Sequence, residues 1–268
     1  MKFEDVCRIQ DETERIQATY QFYCEDTRLN HSKAARVEFL TNCRYIERYL
    51  EPGAKILDVG AGAGEYSLYF AHKGYEVCAL ELAETNIQAF RRKMQPGDPI
   101  ELVQGNAVDL SRYADDSFDA VLVFGPLYHL HSEADQQKCI AEAKRVCKKE
   151  GKLFFAFIGN DMVILTETAR WPSYLTKGDY DKKTFELNDF PFFVFHTVED
   201  GRRMLQKGGI HILHEVASDG ASELLAEQIN AMDDANYAQY LRYHNYLCEK
   251  PEFLGMSNHL LFVGEAME

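Results

Sequence analysis

Between residues 55 and 159 short apolar runs alternate with longer amphipathic stretches. KILDV (55–59), YEVCALE (75–81), IELVQG (100–105), FDAVLVFG (118–125) and KLFFAFIG (152–159) read as strands. The last two are so uniformly apolar that both their faces are expected to be buried. GEYSLYFAHKG (64–74), ETNIQAFRRKM (84–94) and EADQQKCIAEAKRVCKK (133–149) carry apolar residues at helical spacing, with Gly74 and Gly151 as stops. Strands that alternate with helices predict parallel βαβ units with right-handed crossovers. The expected fold is therefore α/β, a doubly wound, mostly parallel sheet.

The flanks read differently. Residues 1–50 look helical, with ARVEFLTNCRYIERYL (35–50) ending at Pro52-Gly53. After residue 160 the rhythm breaks. The stretch 160–197 holds the single tryptophan and two prolines and is too long for a plain connection. A helix (198–207), a strand (211–218), helical material to about 247 and a last strand (259–266) follow. The expected organisation is an N-terminal helical cover (1–50) and a core domain (51–268), with 160–197 as an inserted cover on the substrate side.

In open α/β sheets ligands bind outside the carboxyl ends of the strands. One such end is ILDVGAGAGEYSLYF (56–70), a strand that turns through Gly60, Gly62 and Gly64 into a helix. Glycines let a ligand approach the unpaired amides of a helix start. Glu81 ends the next strand, where a carboxylate can accept from both hydroxyls of a ribose. A dinucleotide fingerprint runs G-x-G-x-x-G. Here the spacing is G-x-G-x-G, and Glu65 would repel a pyrophosphate in the first helical turn. Asp58 suits a ligand with an amino group and a sulfonium cation. S-adenosylmethionine is favoured over a dinucleotide on this reading.

Five segments in order, ILDVGAGAGEYSLYFA, ALELAETNI, VQGNAVDLS, FDAVLVFGPLYHL and EAKRVCKKEGKLFFAFI, resemble the motifs of class I S-adenosylmethionine-dependent methyltransferases. The resemblance covers roughly 55–160 and is closest to bacterial small-molecule enzymes of that class. It implies a seven-stranded, Rossmann-like sheet whose last strand is antiparallel. It also implies that the turn from Gly60 through Ala61 and Gly62 to Gly64 holds the methionine portion and ribose. Asp58 would orient the turn or meet the amino group. Glu81 would hold the ribose hydroxyls, Leu82 would pack on the adenine, and Asn106 and Ala107 would contact the adenine edge. Phe124 and Gly125 would sit beside the methionine chain. The family commonly has aspartate at Asn106, and often at Glu81; an amide oxygen still accepts a hydrogen bond.

Methyl transfer to a good nucleophile needs positioning more than a base. Residues 124–131, FGPLYHLH, offer Tyr128 and His129 as catalytic candidates, with His131 nearby; the favoured alternative for the histidines is that Pro126, Leu127 and His129 fix the loop and its hydrogen bonds. In YQFYCEDTRLNH (20–31) Tyr20, Tyr23, Glu25, Arg28 and His31 precede the core, and a helical cover there would let Arg28 meet the cofactor carboxylate. An internal Glu–Arg pair is the alternative. The aromatics Trp171, Tyr174, Phe192, Phe193 and Phe195 would form an apolar acceptor pocket, pack as an extra layer, or make a homodimer contact.

Charge narrows the partner. The 268 residues carry 29 Lys and Arg against 43 Asp and Glu, a formal charge of −14. Such a chain is poorly suited to neutralise nucleic-acid phosphates. Seven scattered cysteines without a C-x-x-C pair argue against a disulfide framework and against a metal centre. No apolar run reaches the ~20 residues of a membrane span, and the N-terminus has no signal-peptide core. The expectation is a cytoplasmic enzyme methylating a small-molecule acceptor. An NAD-dependent oxidoreductase and a non-catalytic S-adenosylmethionine-binding protein are the alternatives.

Overall fold

A computed structural model describes residues 3–22, 25–188 and 190–267. The elements run α1 (Phe3–Val6), α2 (Glu12–Thr19), α3 (Arg36–Glu47), β1 (Lys55–Val59), α4 (Glu65–His72), β2 (Glu76–Glu81), α5 (Glu84–Lys93), β3 (Ile100–Gln104), β4 (Phe118–Val123), α6 (Glu133–Val146), β5 (Cys147–Gly159), α7 (Asn160–Arg170), α8 (Tyr174–Lys177), β6 (Phe195–His196), α9 (Val198–Lys207), β7 (Ile210–Ala217), α10 (Ala226–Ala231), α11 (Asp234–Leu247), α12 (Pro251–Leu254) and β8 (His259–Ala266).

The sheet order is β3-β2-β1-β4-β5-β8-β7, with the two-residue β6 beside β5. β8 runs antiparallel to β5 and β7, and the other pairs are parallel. The expected seven strands are present, and β6 is the addition. Successive strand residues point to opposite faces, so each central strand feeds two cores. Ile56, Leu122 and Phe154 join Phe39 and Ile46 of α3 and Phe70 of α4. Leu57, Val59, Val121 and Phe155 join Ile140 and Ala143 of α6 and Leu205 of α9.

The strand order reverses between β1 and β4, which opens a crevice above their carboxyl ends. Two boundaries depart from the sequence reading. α6 ends at Val146, and β5 begins at Cys147, so Lys148-Lys149 lie in a strand. The register shifts opposite Phe118/Ala120 there, which accommodates the extra residues. Residues 20–22 and 26–35 are turns and bends rather than helix, between the short α2 and α3. Among the described residues no helix is long and apolar enough to cross a membrane.

Candidate functional site

The crevice holds a cleft enclosing about 870 Å³, open to solvent. Its floor is the turn after β1. The Gly60 and Ala61 amides donate to Leu80 O of β2 at 2.8 and 3.1 Å, which ties the turn to the neighbouring strand. Gly60, Gly62 and Gly64 all have positive φ, at +79°, +55° and +85°. Their surroundings differ. A Cβ on Gly62 would meet nothing within 4 Å, so that backbone faces open space. A Cβ on Gly64 would lie 2.4 Å from the Phe90 ring. Gly64 caps α4, its amide donating to Ala61 O at 2.9 Å, and it packs on Phe90 behind the Gly60–Ala63 stretch that lines the cleft.

Glu81 closes one wall. Its Oε2 accepts the Gly62 N–H at 2.8 Å, and its Oε1 accepts the Ala83 N–H at 2.8 Å and Asn86 Nδ2 at 3.3 Å. Burial raises its pKa, and these hydrogen bonds oppose the rise. Asp58, at the end of β1, is buried and accepts from Ser67 Oγ at 2.6 Å through Oδ2. Among the described residues its Oδ1 is buried without a partner. Burial, with the Glu81 charge in support, pushes its pKa up to about 7. A buried acceptor left open at a cleft wall is costly unless a ligand supplies a donor.

Leu82, Asn106, Ala107, Phe124 and Gly125 line the cleft as the sequence suggested. Asn106 is more occupied than expected. Its Oδ1 accepts from Val108 N at 3.2 Å, and its Nδ2 donates to Thr13 Oγ1 at 3.2 Å. Glu65, in the first turn of α4, also lines the cleft and is paired with Lys93 at 2.5 Å. A carboxylate there disfavours a pyrophosphate on the helix start.

The N-terminal cover lies across the opening. Besides Thr13, α2 sends Gln17 Nε2 to Leu82 O at 3.2 Å, Arg15 Nε to Pro191 O at 2.8 Å, and Glu12 Oε1 to the His131 N–H at 2.9 Å. Tyr20 ends this element and lines the cleft. His129 Nδ1 lies 2.7 Å from Phe192 O, a carbonyl that only accepts, so Nδ1 carries the hydrogen. Nε2 is then the acceptor for the Tyr20 hydroxyl at 2.7 Å. Burial lowers the His129 pKa to about 4. His129 is thus a neutral imidazole with both nitrogens engaged. The partners of both nitrogens come from distant segments, so His129 fixes the loop through its hydrogen bonds, the structural alternative for this position. Tyr128 lines the cleft, its pKa raised by burial.

Arg28 reaches the cleft, but its guanidinium meets carboxylates of its own chain. Nε pairs with Glu25 Oε2 at 3.0 Å and Nη1 with Glu38 Oε2 at 2.8 Å. Tyr23 lies outside the described residues. The insertion aromatics do not gather in one pocket. Trp171 packs edge-on against Tyr174, which stacks on Tyr180. Phe193 packs on His129 and Tyr128, while Phe192 is buried against Val6 and Ala18 of the cover. Sequence reasoning missed Ile16, Leu29 and Tyr66 as cleft walls and Ser67 as the partner of Asp58. Ser67 sits nine residues after Asp58, on α4, and nothing in the sequence distinguishes it from an ordinary helix serine.

The residues present fit S-adenosylmethionine: an unpartnered carboxylate oxygen for an amino group, an acid at the end of β2 for a diol, and a glycine backbone facing empty space. Comparisons agree. A family model described as a methyltransferase domain matches residues 57–155. A demethylmenaquinone methyltransferase of Clavibacter sepedonicus is 32% identical over 48% of this chain and 47% of its own length. A glycine/sarcosine N-methyltransferase of Aphanothece halophytica is 28% identical over 45% of this chain and 46% of its own. The chain thus spans about half the length of the curated relatives it matches. The fold is shared with a solved S-adenosylmethionine-dependent methyltransferase of Methanosarcina mazei, at 19% identity and a TM-score of 0.54, covering 83% of this chain and 97% of that one.

Proposed function

We propose, from the premise that this chain belongs to the class I S-adenosylmethionine-dependent methyltransferases, that it transfers a methyl group to a small-molecule acceptor. The observation that carries this reading is the pairing of Glu81 with the Gly62 amide beside the unpartnered Asp58 Oδ1. When bound, S-adenosylmethionine supplies a sulfonium methyl to a nucleophile.

The chain's own residues bind, orient and exclude water. Glu81, Asp58, the Gly60–Gly62 backbone and Leu82 with Ala107 hold the cofactor. The short cover α2 and the 190–194 segment flank the cleft, and residues 1–50 with 160–197 act as its two covers. His129 fixes the rotation of the Tyr20 hydroxyl, so that the phenol oxygen presents its lone pairs in a set direction. A neutral imidazole with a pKa near 4 takes no proton at neutral pH. His129 is therefore not the group that takes a proton from the acceptor, and positioning supplies much of the rate. The concave, partly covered cleft and the charge of −14 favour a small molecule over a nucleic acid. The demethylmenaquinone and glycine/sarcosine relatives act on different small molecules, and both classes are consistent with this reading.

Incubation with labelled S-adenosylmethionine and a fractionated metabolite extract tests it. The expected result is a labelled product of low mass, absent with Glu81→Ala. Label appearing only in protein or RNA would overturn the small-molecule assignment.

A further inference from the structure

A second cavity lies on the same sheet edge, beyond Arg28, whose side chain lines both. Its wall brings together Glu38 of α3, Asp219 after β7 and His259 at the start of β8. One donor atom from each lies within 4.8 Å of the others. Both carboxylates are buried and His259 is half-buried. His259 Nδ1 is 2.7 Å from Asp219 Oδ2 and 3.4 Å from Glu38 Oε2.

The 3.4 Å separation is that of two ligand atoms around one small cation, and the 2.7 Å hydrogen bond has to lengthen by ~0.3–0.7 Å to match it. Metal–oxygen and metal–nitrogen bonds of ~2.0–2.2 Å set neighbouring donors about 3.0–3.4 Å apart. The donors are also oriented from behind. Asp219 Oδ1 accepts from Ser257 Oγ at 2.5 Å and from His259 N at 3.1 Å. Glu38 is held by Arg28 through both oxygens, at 2.8 and 3.4 Å. Partners of this kind fix ligand geometry in metal sites. Charge points the same way. Glu25 and Glu38 pair with the Arg28 guanidinium, and Glu38 and Asp219 with the protonatable His259 imidazole, so three carboxylates face two basic groups. A divalent ion on neutral imidazole neutralises that group. The cavity, about 1130 Å³ and open to solvent, gives an entry path.

We propose that Glu38, Asp219 and His259 form a binding site for a divalent transition ion of the Mn²⁺–Zn²⁺ series, with water completing its coordination on the cavity side. Binding displaces the proton that bridges His259 Nδ1 and Asp219 Oδ2 to solvent, so the imidazole lone pair and the carboxylate oxygen become ligands. Two carboxylates and one imidazole suit such ions better than a soft thiophilic metal. The proposal is independent of methyl transfer.

The test is titration of the full chain, stripped with EDTA, with Mn²⁺ followed by electron paramagnetic resonance. One ion per chain is expected, with affinity lowered ~10-fold or more by His259→Ala or Asp219→Asn. Imidazole resonances of the wild-type protein provide a second readout that needs no variant. Mn²⁺ should broaden His259 before His72 and His211, which sit beside carboxylates at more exposed positions. No bound ion, affinity unchanged in folded variants, or broadening that begins at His72 or His211 would overturn the site and leave an ion-pair network.

Discussion

Tyr20 and His129, 109 residues apart in the chain, meet at 2.7 Å as hydroxyl donor and imidazole acceptor. The contact joins the N-terminal cover to the loop after β4. It also fixes the tautomer of a buried histidine, because Nδ1 is committed to Phe192 O.

The first expected outcome concerns that histidine. An unfolded imidazole protonates near pH ~6.5, and the buried one near 4. Between those values the unfolded state binds the extra proton. His129 therefore contributes stability that is present above pH ~6.5 and is lost as pH falls toward 4. Urea unfolding at pH 7 and pH 5 should show the loss, and His129→Gln should lack this part of the slope. An imidazole resonance titrating near 6.5 would contradict the buried, neutral assignment.

The glycine turn separates stability from binding. Gly64→Ala forces a Cβ into the Phe90 ring at positive φ and should destabilise the fold by roughly 2 kcal/mol or more. Gly62→Ala meets no atom, so it should cost only about 1 kcal/mol in stability while weakening cofactor binding. Thermal unfolding and ligand titration of the two variants check this. Equal effects on both measurements would contradict the assignment of one glycine to packing and the other to the ligand face.

The α/β core was legible because short, uniformly apolar runs such as FDAVLVFG and 3.6-period runs such as EADQQKCIAEAKRV alternate along the chain. The glycine turn and Glu81 were legible for a similar reason, since a short local spacing encodes them. The Tyr20–His129 bond was not. It joins groups from the cover and the core, and no local spacing marks it. The end of α6 was misread because Gly151 looks like a helix stop, whereas it lies in the irregular start of β5, where a Cβ would meet Asp119 O at 2.9 Å. The insertion aromatics announced an apolar surface without saying what it covers. Phe192 turned out to pack against Val6 and Ala18 of the cover.

That packing carries a further expectation. Phe192→Ala removes a fully buried ring and should cost about 3–4 kcal/mol locally. The loss should loosen α2 and the Tyr20 contact more than the central strands. Hydrogen exchange should accelerate in residues 12–20 while β1 and β4 stay protected. Uniform acceleration would place Phe192 in the global core instead.

Asp58 gives a pH dependence to binding. With a pKa near 7 in the free protein, it is largely protonated at pH 6 and largely ionised at pH 8. A ligand ammonium favours the ionised form, so affinity for S-adenosylhomocysteine should rise with pH, by up to ~10-fold per unit below 7, and level off above it. Asp58→Asn should flatten the curve. A wild-type affinity independent of pH between 6 and 8 would remove Asp58 from the ammonium contact.

Calorimetric titration of the full chain with S-adenosylhomocysteine tests the central claim most directly. A single site with a micromolar dissociation constant is expected, weakened ~10- to 100-fold by Glu81→Ala as a charged hydrogen-bond acceptor is lost. No binding at millimolar ligand, or binding that Glu81→Ala leaves unchanged, would contradict the assignment of this cleft to the methyl donor.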